Sequence, residues 1–199
     1  MTARFTVAAV AAGGALADLL SERLEVVFVG INPSLYSVER GHYFARSTNR
    51  FWPCISRSSV SRRARAALGV ERLGPEHDHA LLRHGIGFTD LVKRATARAS
   101  DLAPSELAAG VAGLLVKIDR YQPRVACFHG VTGYRHVHHR LGGRAAPVSL
   151  GLQDHRIGST LLYLVPNPSG ANAHFTPDDQ TRWYDRLAEC VERARRNGP

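Results

Sequence analysis

Four short apolar runs constrain this chain more than anything else in it. Leu24–Val29, Ile86–Leu91, Arg124–Phe128 and Thr160–Val165 are continuously rather than alternately hydrophobic, the pattern of strands covered on both faces. Helical stretches lie between them. Pro104–Tyr121 opens on proline, carries Glu106 early and aligns Leu107, Val111, Leu114, Leu115 and Ile118 on one stripe. A last helix over Asp178–Arg196 follows the start signal Thr-Pro-Asp-Asp and turns Trp183, Leu187 and Val191 inward. Strands alternating with helices predict an α/β fold: a three-layer α/β/α sandwich around a short, mainly parallel sheet of four to five strands. The 199 residues, 44% of them hydrophobic, suit one domain over 1–199 with a core that needs no staples. Within it, 1–20 reads as a loosely attached N-terminal helix, because Ala8–Leu20 is Ala-rich but broken by Gly13, Gly14 and Asp18.

No run has the length of a membrane span, and no signal-peptide pattern opens the chain, so a cytoplasmic, nucleoid-associated monomer with no membrane partner is expected. Three well-separated cysteines, Cys54, Cys127 and Cys190, make no metal-spaced pair, and an iron–sulfur cluster needs about four thiolates. Buried, reduced thiols are the expectation. The formal charge of +9 favours a polyanionic partner. Nearly all of it is arginine, which the codon bias of a GC-rich genome would also produce. The Arg/Ser-rich stretch Ser56–Arg72 reads as the least ordered part of the chain, a solvated helix face and loop.

In sheets of this class a ligand sits beyond the carboxyl ends of the strands. That gathers Gly30–Pro33, Thr89–Leu91, His129–Thr132 and Pro166–Asn172 around one site. Gly30-Ile31-Asn32-Pro33-Ser34-Leu35 has neither the G-x-G-x-x-G spacing of a dinucleotide fold nor a phosphate loop. It continues into Gly41-His42-Tyr43-Phe44-Ala45 and Asn49-Arg50-Phe51-Trp52, and an aromatic-rich loop above a strand end is what a base-stacking pocket needs.

Gly30–Trp52, with Val165-Pro166-Asn167-Pro168-Ser169-Gly170 after the last strand, resembles the two signatures of the Mug and thymine-DNA glycosylase family, in the uracil-glycosylase superfamily. The similarity spans roughly residues 24–190. It implies a cofactor-free enzyme that flips uracil out of G:U mismatches and hydrolyses its glycosidic bond. The expected partner is double-stranded DNA carrying a mismatched or damaged pyrimidine, with single strands as a second substrate. By position, Asn32 would orient the attacking water and Phe44 would stack on the base. Ile31 and nearby amides would hold the pyrimidine edge, and Ser37 would lie near its C5. Asn167, Pro168, Ser169, Gly170, Ala171 and Asn172 would fill the gap in the duplex.

The chemistry agrees with these residue types. Dissociative cleavage leaves a cationic sugar and an anionic base. The cation asks little of its nucleophile, and the anion asks for preformed donors in a dry pocket. Extrusion of the nucleotide costs least at a mispair. The sequence departs from the family at three places. Ser34 replaces a glycine, so a Cβ and hydroxyl would crowd the pocket floor, adding a hydrogen bond or reducing room. Ala171-Asn172-Ala173 replaces the usual leucine or arginine wedge. Asp90 stands where relatives carry lysine or asparagine; it is a candidate general base or cation stabiliser, and otherwise a helix cap or an ion pair with Lys93 or Arg94. His129 and Gly130 read as a phosphate-facing turn. His136, His138 and His139 read as a solvated or DNA-facing helix rather than a metal site, and Tyr134, Trp183 and Tyr184 as packing residues. No lysine occupies a motif position, which disfavours Schiff-base lyase chemistry. A non-catalytic mismatch sensor is the rival reading, and a nucleotide-dependent α/β enzyme a weaker one.

Overall fold

The computed structural model describes residues 15–143 and 148–196. Five strands, β1 (Val26–Gly30), β2 (Ile86–Asp90), β3 (Val125–His129), β4 (Gly151–Ile157) and β5 (Thr160–Val165), form one sheet in the order β2-β1-β3-β5-β4. All neighbours pair parallel except β4, which runs antiparallel to β5 at the edge. Around it lie α1 (Leu35–Arg40), α2 (Phe51–Arg57), α3 (Arg62–Leu68), α4 (Asp78–Leu81), α5 (Pro104–Tyr121), α6 (Val131–Arg140) and α7 (Pro177–Arg196).

The strands sort their side chains to two cores because successive residues point to opposite faces. Val26 and Phe28 of β1 join Phe51 and Ile55 of α2 and Tyr184 and Leu187 of α7. Val27 and Val29 join Val111, Leu114 and Ile118 of α5 and Tyr134 and Val137 of α6. This is the expected three-layer sandwich. The last helix starts one residue early, on a reciprocal cap: Asp179 N donates to Thr176 Oγ1, and Thr176 N to the Asp179 carboxylate. Tyr184, rather than Trp183, is its fully buried aromatic. All three cysteines are free and buried, and no helix among the described residues is long and apolar enough to cross a membrane.

Two expectations need correction. Residues 15–20 form no helix; Leu19 exchanges two backbone hydrogen bonds of 2.9 Å with Phe88 of β2. Its leucine spacing serves burial, with Leu16 and Leu19 both in the core; residues 1–14 lie outside the described residues. Nor is Ser56–Arg72 loose. The buried hydroxyls of Ser56, Ser58 and Ser61 donate to the carbonyls of Trp52, Ile55 and Ile55 at 2.7, 2.9 and 2.6 Å. Its arginines do form a solvated face, where Arg57 and Arg63 pair with Asp178 and Glu192 of α7.

Candidate active site

The carboxyl ends of β1, β2, β3 and β5 open on a cavity of about 520 Å³. Of the predicted site residues, Ile31, Asn32, Ser34, Ser37, Phe44, Asp90, Asn167, Pro168, Ser169, Gly170 and Ala171 all border it. A wider hollow of about 770 Å³ lies at the other end of the sheet, where charged groups such as Arg124 and Glu25 are spent on each other.

Asn32 is fixed by its amide nitrogen. Nδ2 donates to Thr96 Oγ1 at 2.7 Å, to the Arg94 carbonyl at 2.9 Å and to the Pro33 carbonyl at 3.3 Å. Two of these partners are carbonyls, which only accept, so the amide cannot be flipped. Its oxygen is left to accept from a ligand or water. The support is layered: Thr96 passes its own proton to the Arg98 carbonyl, and the Arg94 guanidinium grips Glu106 in the first turn of α5.

Asp90 closes β2 opposite Gly30 of β1. It is 3% exposed, and its Oδ2 has no hydrogen-bond partner. Lys93 Nζ stands 3.6 Å from that oxygen but also holds Asp18 at 2.9 Å and the Tyr43 hydroxyl at 3.1 Å. Burial drives the Asp90 carboxyl up to about 6, against the pull of Lys93 and with the charge of Asp18 acting alongside burial. Asp18 goes the other way. Burial opposes its ionisation, but Lys93 and Lys117 outweigh that and hold its pKa below the ordinary value. The ion pair with Lys93 and the place on the cavity wall are thus both real, and Lys93 is shared. Gly30 permits the arrangement, since a Cβ there would stand 2.5 Å from Asp90 Oδ1.

Phe44 adopts a left-handed backbone (φ 53°), uncommon for a bulky residue. One ring face stacks on Phe51, with centroids 4.3 Å apart. Ser34 borders the cavity and takes the hydrogen-bonding alternative. It caps α1, its hydroxyl accepting from Ser37 N at 3.1 Å and donating to Ser37 Oγ at 3.0 Å, with φ at −75°, a value open to any residue.

The loop after β5 is braced internally. Asn167 Oδ1 accepts from Ser169 N at 3.0 Å, and the Asn172 amide donates to the Asn167 carbonyl at 2.9 Å. Asn172 therefore serves the loop, and Ala173 and His174 are its exposed neighbours. Gly130 sits behind the cavity, where φ +83° and the absent Cβ let Asn167 come close. Arg50, whose role the sequence hid, ties the loop to the aromatic segment through the carbonyls of Asn172, Phe175 and Gly170. His129 is not phosphate-facing. It is buried between Phe28 and Phe51, meets the Tyr184 hydroxyl at 3.0 Å, and burial pushes its pKa down to about 3.

An amide that presents its oxygen, an elevated buried carboxylate and an aromatic share one cavity. A model of the uracil DNA glycosylase superfamily matches residues 17–188 of the chain. The chain belongs to that superfamily. Membership brings DNA as the partner and glycosylase activity on uracil-type lesions. For a uracil-DNA glycosylase, the residues that sequence reasoning missed are the supports: Thr96, Arg50, and Asp18 and Lys117, which share the charge network of the foreseen Lys93. Only Arg50 carried a local signal, as part of the Asn49–Trp52 motif.

Proposed function

We propose that this protein is a monofunctional glycosylase of the Mug and thymine-DNA glycosylase type, excising uracil from G:U mispairs in duplex DNA. The observation that carries this reading is Asn32, whose amide nitrogen is committed to three acceptors while its oxygen stays unbonded on the wall of the cavity that Asp90 and Phe44 also border. In the proposed reaction the flipped uracil stacks on Phe44, a contact worth about 1–3 kcal/mol for a base on an aromatic ring. The bond between C1′ and N1 breaks with both electrons passing to the base, leaving a uracil anion and a cationic sugar. Backbone amides of the turn at Ile31 and Asn32 face the anion. A water accepted by Asn32 adds its oxygen to C1′ and gives its proton to Asp90. With a pKa of about 6, Asp90 is ionised roughly ten to one at pH 7 and remains a useful acceptor.

Single-turnover excision on an oligonucleotide duplex with one G:U pair, read by alkaline cleavage at the abasic site, tests the proposal. Cleavage faster at G:U than at A:U is expected. Binding of the duplex without any abasic product would reduce the protein to a mismatch sensor. Equal rates on both pairs would remove the mismatch preference while leaving the glycosylase.

A further inference from the structure

Next to the aromatic segment that borders the cavity, His42, Asp78 and His79 converge. One ligand atom from each lies within 4.8 Å of the others. Asp78 is fully buried, and backbone donors aim its carboxylate: Tyr43 N at 2.9 Å to Oδ2 and His79 N at 2.7 Å to Oδ1. His42 Nδ1 lies 3.0 Å and His79 Nε2 3.9 Å from Oδ1. Both imidazoles are partly open to solvent while the carboxylate is not. An ion would thus have a path in and an anion waiting at its end.

We propose that His42, Asp78 and His79 bind one zinc-type divalent cation, which clamps the loop carrying Phe44 to α4. A tetrahedral zinc with bonds of about 2.0–2.1 Å holds its ligand atoms about 3.3 Å apart. The two imidazole-to-carboxylate spacings of 3.0 and 3.9 Å straddle that figure and all three ligand atoms lie within 4.8 Å of one another, so rotation of the two rings toward a shared ion completes the set. Two imidazoles and one carboxylate, with the fourth position left to water, select zinc, cobalt or nickel over magnesium or calcium. The site stands apart from the glycosylase chemistry, because neither histidine borders the cavity. Its consequence is mechanical. His42 is two residues from Phe44 and Asp78 holds the amide of Tyr43, so an ion here pins the segment that carries the left-handed Phe44 backbone.

The ten histidines of the chain make controls essential. Zinc chloride is titrated by calorimetry into the metal-stripped full chain, then into His42→Ala, His79→Ala and His79→Gln, with a His136→Ala/His139→Ala double variant as control. His79 is exposed on α4, so its variants keep the fold, which circular dichroism verifies. The expected result is one equivalent bound at micromolar concentration or tighter. Binding weakens by about 100-fold or more in every site variant, is unchanged in the control, and is absent with magnesium. Zinc should also raise the melting temperature of wild type and control but not of the site variants. Undiminished zinc binding in any His42 or His79 variant, or no binding at micromolar zinc in wild type, overturns the site.

Discussion

Asp90→Asn should make the protein more stable at neutral pH while removing most of its excision activity. The carboxyl rises from its ordinary 3.8 to about 6 on folding, chiefly through burial. A group whose pKa is raised in the folded state contributes stability that is complete below the unfolded value and is lost as the pH climbs through the folded one. At about 1.36 kcal/mol per pH unit, ionising Asp90 in place costs on the order of 3 kcal/mol by pH 7. Asparagine never ionises, and Lys93 keeps Asp18 as a partner in the variant. The variant should therefore match wild type near pH 4 and exceed it by up to about 3 kcal/mol at pH 8. For a chain of this size that is roughly 6–12 °C in melting temperature. Thermal melts of both proteins across pH 4 to 8 read the difference directly, and acid effects common to both cancel. A gap that does not change with pH, or a variant less stable at pH 8, would refute the picture of a carboxylate held charged at a cost.

Asp90→Ala should slow single-turnover excision by about 100- to 10,000-fold, and more than Asn32→Ala, with both variants still binding uncleaved duplex in gel-shift assays. Thr96→Val removes one of three acceptors of Asn32 Nδ2, and excision should fall roughly tenfold with duplex affinity unchanged, about the worth of one hydrogen bond. Ser37 borders the cavity and should crowd a 5-methyl group, so G:U should be cleaved at least about tenfold faster than G:T, with Ser37→Ala narrowing that gap; one methyl group discriminates on this scale. Arg50→Ala leaves three loop carbonyls without their donor, so it should cost about 1–3 kcal/mol in chemical denaturation and weaken duplex binding more than it slows single-turnover excision.

The parallel strands were legible because each is a continuous apolar run between helices, and the structure reproduces all four to within two residues at either end. Strand β4 was not. Gln153, Asp154, His155 and Arg156 make it polar on both faces, and a register shift between Leu152 and Arg156 interrupts its pairing. An edge strand can be that polar because one side meets solvent. At the site, Asn32, Phe44 and Asn167 announce themselves in short motifs at strand ends. Their supports do not. Thr96 meets Asn32 across 64 residues, Lys93 meets Asp18 across 75, and Arg50 reaches the Phe175 carbonyl across 125. No local spacing encodes such contacts. His129 misled for a related reason: a histidine after a strand looks exposed, and only the packing of Phe28, Phe51 and Tyr184 around it makes it a neutral core residue.

Two departures from ordinary folding rules, at Phe44 and at Asp90, lie on the cavity wall, and each depends on its neighbours. Phe44 carries a backbone conformation that costs on the order of 1–3 kcal/mol. It is held there by the stack on Phe51 and by its neighbours: Tyr43 N is bonded to Asp78 and Ala45 N to Ser37 Oγ. Asp90 keeps an unpartnered oxygen in the interior, which is tolerable only because Gly30 leaves room for the carboxylate and Lys93 stands near without being fully committed to it. Full pairing of that oxygen would lower the carboxyl toward its ordinary range and leave a weaker base. Moving Lys93 away altogether would raise it further and leave the base protonated at neutral pH. The sharing of Lys93 between Asp90, Asp18 and Tyr43 sets a position between those extremes, so the residues that would tune the proposed base include Lys93 and Asp18, neither of which borders the cavity.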